Sequence, residues 1–277
     1  MRFAVNMPNF GAFSDARALA ELAREAEEAG WDGFFLWDHI NSPEPMPFAD
    51  PWVTLTAIAM RTQRIRLGAL VTPLPRRRPW KVAREAVTLD HLCGGRLVLG
   101  VGIGSDKWRE YSAFGEPGDD SMHGAMLDEA LTVIAGLWSG EPFSFSGQHY
   151  NVSDVTFLPK PLQESRIPIW VAGFWPNKPP FRRAARWDGI CPINRDFSTP
   201  TPQQVRDLLA YIRRFRDRDT PFDVTLVGGM GMRDPAAASA LLHEYADAGV
   251  TWWEEGALPD MGLDDMREII RRGPPRM

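Results

Sequence analysis

The chain has 277 residues, 44% of them apolar and 24% charged, the composition of a soluble globular protein with a sizeable core. Its 31 Lys and Arg against 36 Asp and Glu give a net charge of −5, which excludes general attraction to nucleic acid or anionic lipid. Cys93 and Cys191 lie too far apart for a CxxC pair, and no apolar run approaches the ~18 residues of a membrane span, so a reduced, cytoplasmic protein is expected.

Short apolar runs alternate with longer helical patterns along the chain. Residues 3–7 read as a first strand. Ser14 is placed to cap a helix in which Leu19, Leu22, Ala23 and Ala26 recur on one face, and Gly30 ends it. Residues 33–37 form a second strand, running into Asp38, His39 and a proline-rich loop. A third strand is expected at 65–71, a helix at 79–92, and a fourth strand at 96–101 closing on Gly102-Ile103-Gly104-Ser105. Helical patterns near 107–114 and 122–138, then a hairpin at 143–152 turning around Gly147-Gln148, precede the fifth strand at 168–172. Residues 181–187 are helical and 189–193 form the sixth strand. Thr201, Pro202 and Gln204 are a strong helix start, with an N-cap, a proline at the first helical position and a glutamine at N3. The seventh strand, 223–227, runs into Gly228-Gly229-Met230-Gly231. Asp234-Pro235 opens a helix to Ala248, residues 250–253 are the eighth strand, and a short helix lies near 263–271.

Eight strand–helix units of this length fit a closed α/β (β/α)8 TIM barrel better than an open doubly wound sheet. The expected domain covers residues 1–272, with an elaboration at about 105–167 after strand four and a flexible tail at 273–277. Active sites of such barrels lie at the C-terminal ends of the strands. That rule selects Asn9, Trp37, Asp38, His39, Leu70, Thr72, residues 102–105 and 173–175, Asn194, and Glu254 with Glu255. The five histidines have no metal-ligand spacing, there is no Gly-x-Ser-x-Gly elbow, and no lysine sits in an expected strand. A metal site, a serine nucleophile and a Schiff-base mechanism are therefore set aside. His39 is the best chemical candidate, as proton carrier or substrate anchor, with Asp38 to orient it. The run Arg76-Arg77-Arg78 reads either as a solvated helix start or as a site for anionic groups. Of the 11 tryptophans, Trp37 and Trp175 stand where a planar group would lie, while Trp31, Trp52, Trp138 and Trp187 read as core.

The chain resembles the bacterial luciferase-like superfamily of flavin- and deazaflavin-dependent oxidoreductases over nearly its whole length. The resemblance is carried by Glu27-Glu28-Ala29-Gly30-Trp31-Asp32-Gly33 into Trp37-Asp38-His39, and by Leu67-Gly68-Ala69-Leu70-Val71-Thr72-Pro73. It continues through Leu89-Asp90-His91-Leu92-Cys93-Gly94-Gly95-Arg96 into Gly100-Val101-Gly102, then Gly140-Glu141-Pro142-Phe143 and Pro168-Ile169-Trp170-Val171-Ala172-Gly173. It implies a barrel that binds coenzyme F420 or FMN across its mouth, beside a non-prolyl cis peptide placed at Ala69–Leu70. Ala69, Leu70 and Thr72 would support the ring, and Gly102, Ile103, Gly104 and Ser105 would line the cofactor's side chain. Gly173, Phe174 and Trp175 would add phosphate contacts. Asn9, Trp37 and Asn194 are the expected substrate contacts, with Phe174 and Trp175 completing the substrate walls. His39 would sit at the reactive face.

Two departures narrow the resemblance. Ser105 stands where the sugar-phosphate dehydrogenases of the superfamily carry a carboxylate, and the strand-five loop reads Phe174-Trp175-Pro176 in place of further glycines. The compact chain, the Asp38-His39 pair and a basic stretch near Arg76, able to attract the acidic tail of F420, favour F420 over FMN. The expected activity is hydride transfer between F420 and a small, largely apolar substrate. The alternatives are an FMNH2-dependent monooxygenase and a non-catalytic flavin-binding protein. A homodimer and a separate flavin or F420 reductase are the expected partners.

Overall fold

Nine parallel strand segments form one barrel sheet in the computed structural model, which describes residues 1–229, 235–258 and 260–277. In chain order the strands are β1 (Arg2–Met7), β2 (Gly33–Leu36), β3 (Arg66–Ala69), β4 (Thr72–Pro73), β5 (Leu99–Gly102), β6 (Phe143–Ser146), β7 (Asn151–Val155), β8 (Ile169–Trp175), β9 (Gly189–Asn194), β10 (Asp223–Gly228) and β11 (Trp252–Gly256). The helices are α1 (Ala16–Ala29), α2 (Pro51–Arg61), α3 (Pro79–Leu92), α4 (Asp120–Leu137), α5 (Lys178–Ala184), α6 (Pro202–Arg213), α7 (Pro235–Ala248) and α8 (Leu263–Arg272). The sheet order is β3-β2-β1-β11-β10-β9-β8-β5-β4, and β6 pairs with β7 as a separate antiparallel hairpin. The ring closes through one parallel bridge, Leu67 to Leu97, where the Val98 amide donates to the Leu67 carbonyl at 2.9 Å.

The expected TIM barrel is therefore present, with β3 and β4 sharing the third strand position. Between them lies the non-prolyl cis peptide, at Leu70–Val71, one residue beyond its expected place. The Leu70 amide still donates to the Leu36 carbonyl at 2.7 Å, so the Ala69–Leu70 unit stays in the β2–β3 ladder.

Local differences have local causes. Asp15 caps α1, its Oδ1 accepting from the Arg17 amide at 2.8 Å, while Ser14 donates to the Gly11 carbonyl instead. Helix α2 falls in what read as a proline-rich loop. Its signal was Asp50-Pro51, an N-cap that accepts from the Val53 amide at 2.9 Å and a proline in the first turn. The helix expected at 107–114 is absent; a 3-10 turn at Ser112–Phe114 remains. Asp106 Oδ1 accepts from the Tyr111 and Ser112 amides at 2.9 and 3.0 Å, which diverts the backbone from helical bonding. The α6 start is as expected, with a Thr201–Gln204 capping box. Met230, Gly231 and Asp234 lie outside the described residues.

Candidate active site

Strand alternation decides which side chains enter the barrel. Ala4, Phe35, Val98, Trp170 and Trp252 form a buried inner layer, with Leu70 and Cys191 packed against it and partly open. On the mouth side of that layer Glu254 is fully enclosed, accepting from the Asn6 side-chain amide and from the Thr225 hydroxyl. Burial pushes the Glu254 carboxyl up to about 7, against the opposing effect of those two hydrogen bonds. Half-buried Leu70, Val71, Ala172 and Cys191 leave a small, apolar floor at the C-terminal end of the sheet.

His39 stands at the edge of that floor. Its backbone is clamped by Asn9, whose amide donates to the His39 carbonyl at 2.8 Å and whose Oδ1 accepts from the His39 amide at 3.1 Å. Its ring Nδ1 lies 3.1 Å from Glu110 Oε2. Burial would raise the Glu110 carboxyl, but His39, Arg76 and the Ile40 amide together hold it below its ordinary value. An ionised Glu110 can only accept, so Nδ1 carries the proton and Nε2 is left as the working atom. Arg76 donates to Glu110 Oε1 and Asp38 Oδ1, both at 2.8 Å, and Arg77 donates to Asp38 Oδ2 at 2.9 Å. Around the imidazole stand Trp108, Phe10 and Trp37, with ring centroids at 4.5, 5.8 and 6.0 Å. Phe48 backs Phe10 at 5.6 Å.

The expected site residues separate by strand face. Trp37, His39, Leu70 and Phe174 keep partly exposed surface at or just beyond the C-terminal ends of their strands. Asp38 does not orient His39; its buried carboxylate holds Arg76 and Arg77, and Glu110 takes the orienting position. Asn9 has no exposed surface and also donates to the Ala49 carbonyl, so it braces His39 instead of meeting substrate. Ala69 packs into the outer core, and buried Thr72 accepts from the Trp52 indole at 3.2 Å. Gly173 faces α5, where a Cβ would overlap Pro180, and Trp175 packs edge-on against Phe181 at 5.2 Å with Lys178 over its face. Asn194 is tied to Ser198 and to Gln204 of the α6 cap.

The strand-four loop keeps its place beside the mouth. Gly100 and Gly102 are inward positions where a Cβ would crowd Leu70 and Val71, so the loop can lie against the cis peptide only without side chains. At Gly104, φ +75°, a Cβ would come 2.6 Å from the Tyr111 hydroxyl, which donates to the Ile103 carbonyl. The Ser105 hydroxyl accepts from the Lys107 amide at 3.2 Å. The sequence does not single out Glu110, Trp108 or Phe10, and it marks Arg76 only as part of a basic stretch for anionic groups. Arg76 is engaged by two buried carboxylates and Arg77 by one N–H to Asp38, which leaves Arg78 and the rest of the Arg77 guanidinium to meet an anion.

Residues 1–257 match the family described as luciferase-like monooxygenase. The chain belongs to that family. A relative from Intrasporangium calvum, named F420-dependent glucose-6-phosphate dehydrogenase, is 34% identical across 93% of this chain and 86% of its own length. An F420-dependent secondary alcohol dehydrogenase solved with an F420–acetone adduct superposes with TM-score 0.81 at 16% identity, covering 99% of this chain and 98% of its own. The oxygenating component of 3,6-diketocamphane monooxygenase from Pseudomonas putida, solved with FMN, superposes with TM-score 0.78 at 15% identity, covering 99% and 97%. These two share the barrel fold with the chain. Luciferase-like relatives thus use F420 or FMN, and the floor of Leu70, Val71, Ala172 and Cys191 fits a flat, largely apolar ring system of that kind. Among the described residues no helix is long and apolar enough to cross a membrane.

Proposed function

We propose that the chain is an F420-dependent oxidoreductase that moves hydride between the deazaflavin and a small, largely apolar substrate bearing a carbonyl or hydroxyl group. The observation that carries this reading is the Glu110–His39 pair, with Nδ1 engaged and Nε2 unbonded at the mouth. The preference for F420 draws on the name of the 34% identical relative. Bound F420 would supply the two-electron centre, resting on Leu70, Val71, Ala172 and Cys191. His39 Nε2 would take the hydroxyl proton as the neighbouring carbon loses hydride, and return it in the reverse direction. Glu110 would hold the imidazolium formed, and Arg76 would keep Glu110 ionised. Phe10, Trp37 and Trp108 would keep water from the reacting carbon and favour an apolar substrate body. Ser105 in place of a carboxylate sets this site apart from sugar-phosphate chemistry. A separate reductase would regenerate the reduced cofactor.

The test is titration with F420 and FMN, each oxidised and reduced, followed by tryptophan fluorescence, on the parent and on His39→Ala and Glu110→Gln. F420 should bind at least tenfold more tightly than FMN. Both variants should bind F420 within a few-fold of the parent yet lose about 10²-fold or more in single-turnover hydride transfer. Tighter binding of reduced FMN would move the reading to an FMNH2-dependent monooxygenase. Unchanged transfer in His39→Ala would remove the proton role.

A further inference from the structure

Beside Arg76 lies a cavity of about 190 Å³ between the start of α3 and the first turns of α4. Its wall includes Arg76, Arg77, Arg78, Glu116, His123 and Met126. Pockets that take whole drug-sized ligands run from roughly 300 to 1,000 Å³, so this one suits a head group and not a cofactor ring.

We propose that this cavity is a binding site for a small oxyanion, a phosphate or carboxylate group, distinct from the cofactor site. The first support is His123. It is 3% exposed, its ring lies on Tyr111 with centroids 4.1 Å apart, and neither ring nitrogen has a hydrogen-bond partner among the described residues. The His123 nitrogens are not among the fully enclosed polar atoms that lack a partner, so they are open to the cavity that the residue lines. The second support is the pair of guanidinium groups beside it. Arg78 is exposed and makes no ion pair or side-chain hydrogen bond among the described residues. Arg77 gives one Nη2 hydrogen to Asp38, and its remaining N–H groups have no acceptor among the described residues. An oxyanion accepts from both guanidinium groups and from a His123 N–H, while the Met126 side offers apolar contact to whatever carries it. Glu116, on the same wall, opposes an anion and sets its affinity.

The inference does not rest on the F420 reading, and calorimetry with the purified protein tests it separately. Inorganic phosphate and succinate, titrated in turn, serve as the phosphate and carboxylate probes. Saturable one-site binding is expected for at least one, and whichever binds more tightly identifies the head group. Arg78→Ala should weaken it by about tenfold, the loss of one charge-assisted hydrogen bond. Glu116→Gln should strengthen it roughly two- to fivefold, the relief of one nearby like charge. His123→Leu should weaken it as well. The proposal is overturned if neither probe binds saturably, or if Arg78→Ala and Glu116→Gln both leave affinity unchanged. It is also overturned if a saturating probe competes with F420, which would make the cavity part of the cofactor site.

Discussion

Glu254 shows how one carboxyl can tie stability to pH. Its ordinary value is 4.5, and burial lifts it to about 7. Below pH 4.5 the group is protonated in both folded and unfolded chains. Between 4.5 and 7 the unfolded chain ionises while the folded one does not, so stability falls as pH rises through that window. The displacement corresponds to roughly 3 kcal/mol. Glu254→Gln, neutral in both states, should flatten this decline, as urea melts at pH 5 and pH 8 would measure; an unchanged slope would place the ionisation elsewhere. Other residues were unevenly legible in the sequence. His39 could be named because it follows an apolar strand directly. Glu110 could not, since it is 71 positions away in a stretch that read as helix. The basic run was legible as charge, but its burial depended on Asp38, whose carboxylate reads in sequence as a neighbour of His39 and in space as an anchor for Arg76 and Arg77.

At the scale of elements, strand parity explains which expected contacts fail. Strand β8 runs to Trp175, three residues beyond the expected end at 172, so side-chain direction continues to alternate through the loop residues. Phe174 therefore faces inward and Trp175 outward onto Phe181, although their positions in sequence are nearly equivalent. The same parity makes the glycines of the strand-four turn legible as a type while hiding what they accommodate. A Cβ on Gly100 would overlap the Ala69 carbonyl and come 2.5 Å from Leu70 Cδ2. Gly100→Ala should thus destabilise the fold by about 1–3 kcal/mol through overpacking and shift the floor of the mouth. Thermal melts check the first effect and cofactor titration the second. A fully stable variant would show that β3 can retreat.

For the whole molecule, alternating periods were enough to identify the barrel, because the units carry their own apolar faces and several, α1, α2, α4 and α6, their own side-chain caps. How the ring closes was not legible, because it depends on contacts between units. Arg96, a buried guanidinium beside the closing bridge, donates to the carbonyls of Cys93 at 2.6 Å, Ile65 at 2.7 Å and Thr62 at 2.9 Å, and to the Thr62 hydroxyl at 2.9 Å. It fastens the α3 end to α2 and β3. Arg96→Met should cost about 3 kcal/mol or more, since several buried acceptors lose their donor together. A lowered melting temperature with a normal far-UV spectrum is the expected result, and an unaltered melting temperature would assign closure to the apolar layer alone.

The closing bridge itself has a further consequence. Strands β8 and β9 share six registered pairs and β1 and β11 share five, whereas the third strand position meets the fourth through the Leu67–Leu97 bridge below and the β4–β5 pairs Thr72–Val101 and Pro73–Gly102 above. The pairing is interrupted between Ala69 and Thr72, so the gap in the ladder falls at Leu70 and Val71 on the floor of the mouth. Slow widening there would let the floor adjust to a bulky guest while the opposite wall keeps its shape.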